Sequence, residues 1–150
     1  MVLGSLLPVR IALVVAVGIP FTFLGTLLFF YGAGISLNLI SMMGLIIVVG
    51  MLVDDAVVVT ENCQSRIEKG ESAEVAAIEG TKDIWLPVAS SVLTTVAAFL
   101  PLMFMSGIFG KFVRYIPMGV IIALLISLFQ AYFVLPNHFI QIMRNRRSDK

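Results

Sequence analysis

Four long apolar segments, separated by polar connectors, dominate the hydrophobic pattern of this chain. They run from about Val9 to Tyr31, Leu37 to Thr60, Ile84 to Met105 and Tyr115 to His138. Each segment is close to the roughly 20 residues that an α-helix needs to cross a bilayer. A backbone inside lipid must satisfy its polar groups within the segment, which favours helices. The pattern therefore predicts an all-α polytopic membrane protein with a bundle of four transmembrane helices.

The connectors predict where these helices begin and end. Gly32 to Ser36 is typical of a tight turn, with Ser36 as the N-cap of the second helix. The polar connector at residues 61–83 holds most of the charge. Within it, Ser72 is expected to cap a short helix that ends at Gly80.

The composition excludes several classes of function. Hydrophobic residues make up 59% of the chain and charged residues 13%, whereas a soluble domain is about 25% charged. The net charge of +1 argues against the basic patch that a nucleic-acid-binding protein needs. Cys63 and His138 are the only residues of their types, so no metal site and no disulfide within the chain are expected.

Lysine and arginine residues predict the orientation in the membrane, because they are enriched on the cytoplasmic side. Only Lys111 and Arg114 fall on one side, and all the others fall on the opposite side. Both termini, the connector at 61–83 and the basic tail at 144–150 are therefore predicted to be cytoplasmic. The residues on that side are Arg10, Arg66, Lys69, Lys82, Arg144, Arg146, Arg147 and Lys150.

Some polar and aromatic side chains in the apolar segments are expected to serve packing. Tyr31, Trp85 and Tyr115 lie near the predicted helix ends, where aromatic rings anchor helices at the interface. Gln130 lies inside the fourth segment and is expected to bond a neighbouring helix.

Two adjacent carboxylates, Asp54 and Asp55, interrupt the second apolar segment. Asp54 is about 17 residues from Leu37, hence roughly 25 Å along the helix. An ionised Asp at the centre of a bilayer costs about 2.5–3.5 kcal/mol. Such acids usually face a bundle interior or a water path and take part in ion movement. The alternative is a shorter helix with both acids in headgroup water, but the apolar run at 57–59 continues beyond them.

The pair also predicts a titration behaviour. Two carboxylates this close repel each other when both are ionised, and burial opposes ionisation as well. Their protons should therefore leave in coupled steps that belong to the pair. We expect Asp54 and Asp55 to form a proton relay, a site that takes up and releases a proton.

Helical spacing divides the neighbours of the pair between two stripes, since residues three, four and seven apart share a face. Gly50, Asp54 and Glu61 lie on one stripe, and Asp55 and Asn62 lie on the next. We expect Glu61 and Asn62 to form a possible proton path, with solvated interfacial residues as the alternative. Gly50 is expected to permit close helix packing.

The string Val53-Asp54-Asp55-Ala56-Val57-Val58-Val59 resembles the fourth transmembrane helix of resistance-nodulation-division (RND) efflux permeases, and the double acid resembles their hydrophobe/amphiphile efflux branch. Other matching strings make the whole chain similar to transmembrane helices 3–6 of the first half of such a permease, a fragment of it. These strings are Leu24-Gly25-Thr26, Gly34-Ile35-Ser36-Leu37-Asn38, Met43-Gly44-Leu45, Glu61-Asn62, Ala73 to Gly80, Val96 to Leu102 and Leu135-Pro136.

The resemblance implies a multidrug efflux transporter in the bacterial cell inner membrane. It implies proton/drug antiport of hydrophobic or amphiphilic compounds, driven by the proton-motive force without a cofactor, with Asp54 and Asp55 as the relay. It also implies a homotrimer that joins a periplasmic adaptor and an outer-membrane channel. The porter domains and the second transmembrane half, which would supply basic and hydroxyl partners to the pair, lie outside this chain.

Two other functions are also compatible with the sequence. The chain could be a truncated membrane module that inserts without transporting. An intramembrane aspartyl protease is a further alternative, but it needs an acid and a base from separate helices. Both acids lie here on one helix, so an enzyme is not expected.

Overall fold

The computed structural model describes residues 9–148, and it describes side chains from 15 to 141. Every regular element in that range is a helix, which confirms the all-α prediction. Four stretches are long and apolar enough to span a membrane: Val15–Gly32, Leu39–Glu68, Ala73–Met103 and Gly107–Gln141. The elements in chain order are α1 (Val9–Gly32), α2 (Leu39–Glu68), α3 (Ala73–Met103), α4 (Gly107–Val113), α5 (Tyr115–Phe129), a π-helical turn (Gln130–Val134) and α6 (Leu135–Ser148).

The N-terminus of α2 is capped by Asn38, so the prediction of Ser36 as its N-cap was wrong. The Asn38 side chain accepts hydrogen bonds from the amides of Ile40 at 2.9 Å and Ser41 at 3.0 Å. The Ser41 hydroxyl in turn accepts a bond from the Asn38 amide at 2.9 Å. This reciprocal arrangement is a capping box, and it satisfies backbone donors at the start of the helix.

The predicted connector between the second and third segments is mostly helical. Helix α2 continues to Glu68 and α3 begins at Ala73, which leaves only a short turn between them. Ser72 is the N-cap of α3, as predicted, but Gly80 does not end a helix. A Cβ at Gly80 would lie 3.0 Å from the Cα of Cys63, so the glycine permits α2 and α3 to pack closely.

Helix α2 is the centre of the bundle, because it contacts α1, α3, α5, the π-helical turn and α6. Two clusters of apolar side chains, most of them small or branched, form the core along its length. The cluster near the α2–α3 turn includes Val15, Ala56, Val59, Cys63, Ala77, Ala131, Leu135 and Phe139. The other includes Val48, Leu52, Val92, Val120, Ala123 and Leu124.

Charged side chains at the α2–α3 turn tie the two helices together. Arg66 of α2 bonds Glu71 at 2.9 Å and Asp83 of α3 at 2.6 Å. On α3 itself, Lys82 pairs with Glu79 at 2.8 Å. These ion pairs gather most of the charge at one end of the bundle, away from the apolar middle.

Helices α2 and α5 pack closely against each other at Gly44. A Cβ built there would lie 2.7 Å from the backbone oxygen of Ile116, whereas one at Gly50 would meet nothing within 4 Å. In this chain, therefore, Gly44→Ala must push two helices apart, and Gly50→Ala adds a methyl group in open space.

We expect Gly44→Ala to lower the free energy of unfolding by about 1–3 kcal/mol, as overpacking does. The matched control Gly50→Ala should be neutral or stabilising by up to about 1 kcal/mol, because alanine favours the helix. Thermal unfolding of the chain in detergent, followed by circular dichroism, measures both. Equal effects of the two substitutions would contradict the packing described here.

Candidate functional site

The two carboxylates lie near the middle of α2 and point in different directions. Successive residues of an α-helix are about 100° apart around its axis. Asp54 is exposed, and Asp55 is partly buried. The bundle therefore separates the pair into one acid that faces away from the described helices and one that faces them.

Asp55 has an unusual environment for a carboxylate. Its Oδ2 atom is buried and has no hydrogen-bond partner among the described residues. Ala56 and Val59, which follow it on α2, pack with Ala131 and Leu135 in the apolar core. A buried acceptor that lacks a donor costs free energy, and the cost is greater for a charged group.

The stripe that contains Asp54 is uncovered in this chain. Gly50, Asp54, Val58 and Glu61 are all exposed, although they lie on the central helix of the bundle. The close packing expected at Gly50 is absent between the described helices, since a Cβ there would meet nothing within 4 Å. Packing of Gly50 against a helix outside this chain stays a prediction.

Glu61 and Asn62, the possible proton path, have separate surroundings. Glu61 is exposed, whereas the Asn62 side-chain amide donates a hydrogen bond of 2.7 Å to the backbone oxygen of Gly80. Asn62 therefore joins α2 to α3, a structural role that the sequence did not reveal. A part in proton movement stays a prediction for both residues.

The structure brings two further aromatic side chains together beside the core. The Tyr132 hydroxyl donates a hydrogen bond of 3.1 Å to the backbone oxygen of Trp85. The two rings meet edge to face, with centroids 5.1 Å apart. Trp85 lies about three turns inside α3 rather than near the helix end where the sequence placed it.

The residue expected to bond a neighbouring helix, Gln130, is buried with 4% of its surface exposed. Its side chain occupies the space where a Cβ of Gly18 would stand, so it lies directly against α1. Gln130 and Tyr132 both belong to the π-helical turn. Nothing in the sequence pattern indicates such a turn, which explains why the role of Tyr132 was missed.

The described side chains contain no candidate metal centre, since no three His, Cys, Asp or Glu residues among them come together. No Lys or Arg of residues 15–141 forms an ion pair with Asp54 or Asp55; the pairs there involve Arg66 and Lys82. Any counter-charge for the two acids therefore has to come from beyond the described side chains.

Comparison with known proteins adds independent information. The sequence model of the AcrB/AcrD/AcrF family matches residues 2–150. The multidrug resistance protein MdtC of Pantoea ananatis (strain AJ13355) is 38% identical over 127 residues, which cover 85% of this chain and 12% of that protein. MdtC of Citrobacter koseri is 39% identical over 127 residues, with the same coverage of 85% and 12%. The chain thus spans about 12% of the length of these relatives.

The hydrogen bond from Asn62 to Gly80 yields a stability prediction. We expect Asn62→Ala to lower the free energy of unfolding by about 0.5–1.5 kcal/mol, the range for a hydrogen bond between membrane helices. The adjacent exposed residue supplies a control, since Glu61→Ala should change stability little. Denaturation in mixed micelles compares the two, and an equal loss in both variants would argue against the interhelical bond.

Proposed function

Since the chain belongs to the AcrB/AcrD/AcrF family of RND efflux permeases, which are transporters and not enzymes, we propose that it forms part of a proton/drug antiporter. The exported compounds are hydrophobic or amphiphilic, and the proton-motive force drives their export. One observation carries the proposal: α2 places Asp54 and Asp55 in the middle of an apolar helix, and a buried oxygen of Asp55 has no hydrogen-bond partner among the described residues.

The energetics of this arrangement favour proton exchange over a purely structural role. Two ionised carboxylates in hydrocarbon cost roughly twice the 2.5–3.5 kcal/mol of one. Protonation removes that cost, and deprotonation restores it. A proton that falls through the membrane potential delivers about 2.3 kcal/mol per 100 mV, which is comparable to the penalty for one acid. Loading and release of protons can therefore move the bundle between two states.

The uncovered stripe indicates where the missing partners bind. Gly50, Asp54 and Glu61 are exposed on the helix that otherwise lies at the centre of the bundle. We propose that the second transmembrane half of the transporter covers this stripe and supplies cations to the acids. Neutralising Asp54 and Asp55 would weaken that attraction, and the two halves would then move relative to each other.

The proposed location is the bacterial inner membrane, with both termini in the cytoplasm. Lys and Arg residues cluster at the α2–α3 end, where Arg66 and Lys82 make ion pairs. Positive residues mark the cytoplasmic side. The remaining partners of the proposed pump are porter domains, two further copies of the permease, a periplasmic adaptor and an outer-membrane channel.

No observation favours a protease. Beyond Asp54 and Asp55, the acidic residues with described side chains all lie between Glu61 and Asp83, near the α2–α3 turn. Among the described side chains, no acid of a separate helix forms a hydrogen bond with the pair, and Asp83 of α3 pairs with Arg66 instead, at 2.6 Å.

We expect Asp54→Asn and Asp55→Asn, each in the complete transporter, to reduce drug efflux to background. Asparagine keeps the size of the side chain but cannot carry the proton. Dye efflux from energised cells and drug susceptibility measure activity, and immunoblots of membranes confirm insertion. Glu79→Gln, at an exposed ion pair with Lys82, serves as the control and should leave efflux unchanged. Normal drug resistance in both Asp variants would remove the proposed mechanism.

A further inference from the structure

Two cavities lie along α5, on a side of the helix that does not pack in the core. Val120 and Ala123 of α5 pack in the apolar core with residues of α2. The first cavity is a cleft of about 430 Å³ at the start of α5, where Arg114, Tyr115 and Met118 meet the α1–α2 turn and the end of α3. The second is a groove of about 530 Å³ farther along the helix, between α1 and α5. The walls of this groove include Leu24, Leu28, Leu125 and Phe129.

Helical spacing shows that the cleft and the groove share one face of α5. Tyr115, Met118, Ile122, Leu125 and Phe129 follow one another at intervals of three or four residues. Residues with this spacing lie above one another on a helix surface. The cleft at the start of α5 therefore continues into the groove along a single stripe of the helix.

The cleft holds a cation without a carboxylate partner. The Arg114 guanidinium donates a hydrogen bond of 3.4 Å to the Tyr115 hydroxyl and lies 5.2 Å from the centroid of its ring. The acidic residues with described side chains all lie between Asp54 and Asp83. Asp54 is 15 residues from Leu39, the first residue of α2, hence roughly 22 Å from this end of the bundle. The remaining donors of the guanidinium are thus available for an anion.

The short helix α4 indicates that this cation lies at the level of the lipid headgroups. Its side chains Ile108, Phe109 and Phe112 are exposed, and Lys111 adds a second positive charge. Exposed aromatic and basic side chains on one short helix are typical of the membrane interface. Arg114 is the residue at which α4 ends, so it shares this level.

The groove lies at the depth of an acyl chain. Leu125 and Phe129 are 10 and 14 residues beyond Tyr115, hence roughly 15 and 21 Å along the helix. One leaflet with its headgroups is about 20–22 Å thick, half of a bilayer. A Cβ at Gly25 of α1 would lie 3.2 Å from the Ile126 side chain, so the two helices approach closely beside the groove.

We propose that this face of α5 binds one anionic phospholipid of the leaflet at the α4 end. Arg114 binds the phosphate through charge-assisted hydrogen bonds. Because the Tyr115 hydroxyl accepts from Arg114, its own proton is free to bind a second phosphate oxygen. One acyl chain follows the stripe of α5 into the groove. A neighbouring apolar helix would fill the groove but leave the guanidinium without an anion, whereas one lipid molecule satisfies both cavities. The site is separate from Asp54 and Asp55 and does not depend on their proposed role.

The test places the complete transporter in phosphatidylcholine nanodiscs that contain a small fraction of photoactivatable phosphatidylglycerol. The probe carries a diazirine near the end of an acyl chain, and mass spectrometry locates its attachment after irradiation. Labelling should concentrate on residues 24–28 and 125–129. Arg114→Gln should lower that labelling about fivefold, because it removes a basic group beside an anionic headgroup.

Matched controls separate a bound lipid from general contact with the membrane. Lys69→Gln removes the same charge near the α2–α3 turn and should leave the labelling of the groove unchanged. A phosphatidylcholine probe with the same diazirine should label the groove less, since its choline group offsets the phosphate charge. Millimolar inorganic phosphate should not displace the lipid. Displacement would identify a site for free phosphate and would overturn the assignment to a lipid.

A second variant keeps the test decisive if Arg114→Gln fails to insert. Leu125→Trp retains Arg114 but fills the groove from an exposed position, so labelling of residues 24–28 should fall. Labelling that is the same in the unaltered transporter and in either inserted variant would overturn the proposal. No labelling of the groove in the unaltered transporter would also overturn it, because another part of the transporter would then cover this face. These measurements report binding alone, so their outcome is independent of whether the Asp variants lose efflux.

Discussion

The cost of placing charge in hydrocarbon governs the organisation of this bundle. Apart from Asp54 and Asp55, the acidic residues with described side chains lie near the α2–α3 turn, where Arg66 and Lys82 provide partners. The two exceptions lie in the middle of α2, the helix with the most extensive contacts. An acid at that depth needs a partner, a water path or a proton. The proposed function meets that need with a proton that the pair takes up and releases.

The two acids differ in burial, and hence in the free-energy cost of ionisation, because of helix geometry. Because consecutive residues point about 100° apart, only Asp55 faces the helices of this chain, and Asp54 lies on an uncovered stripe with Gly50. The two carboxylates therefore have different surroundings, although they are adjacent in the chain. In the proposed transporter, this division would let Asp55 respond to helices of its own half and Asp54 respond to the second half.

Close backbone packing fixes the positions of α3 and α5 against α2. Gly44 permits α5 to approach α2, and Gly80 permits α3 to approach it. The bond from Asn62 to Gly80 and the ion pairs of Arg66 then hold α2 and α3 in register. The π-helical turn brings Tyr132 against Trp85 of α3, where its hydroxyl donates to the Trp85 backbone oxygen at 3.1 Å. Small residues at the helix interfaces thus determine how closely α3 and α5 pack against α2.

The sequence by itself determined the fold class, the four spans, the family and the identity of the unusual acids, because apolar length and intramembrane charge are local properties that a single chain displays. The predicted N-cap of α2 and the predicted helix end at Gly80 were both wrong. A sequence does not show whether a glycine ends a helix or permits a neighbouring helix to pack closely. Only the tertiary structure decided that the stripe of Asp54 is uncovered while Asp55 is partly buried. It alone also showed that Asn62 bonds Gly80 and that a π-helical turn brings Tyr132 to Trp85. These relations depend on the register and rotation of packed helices, and contacts between residues distant in the chain set both.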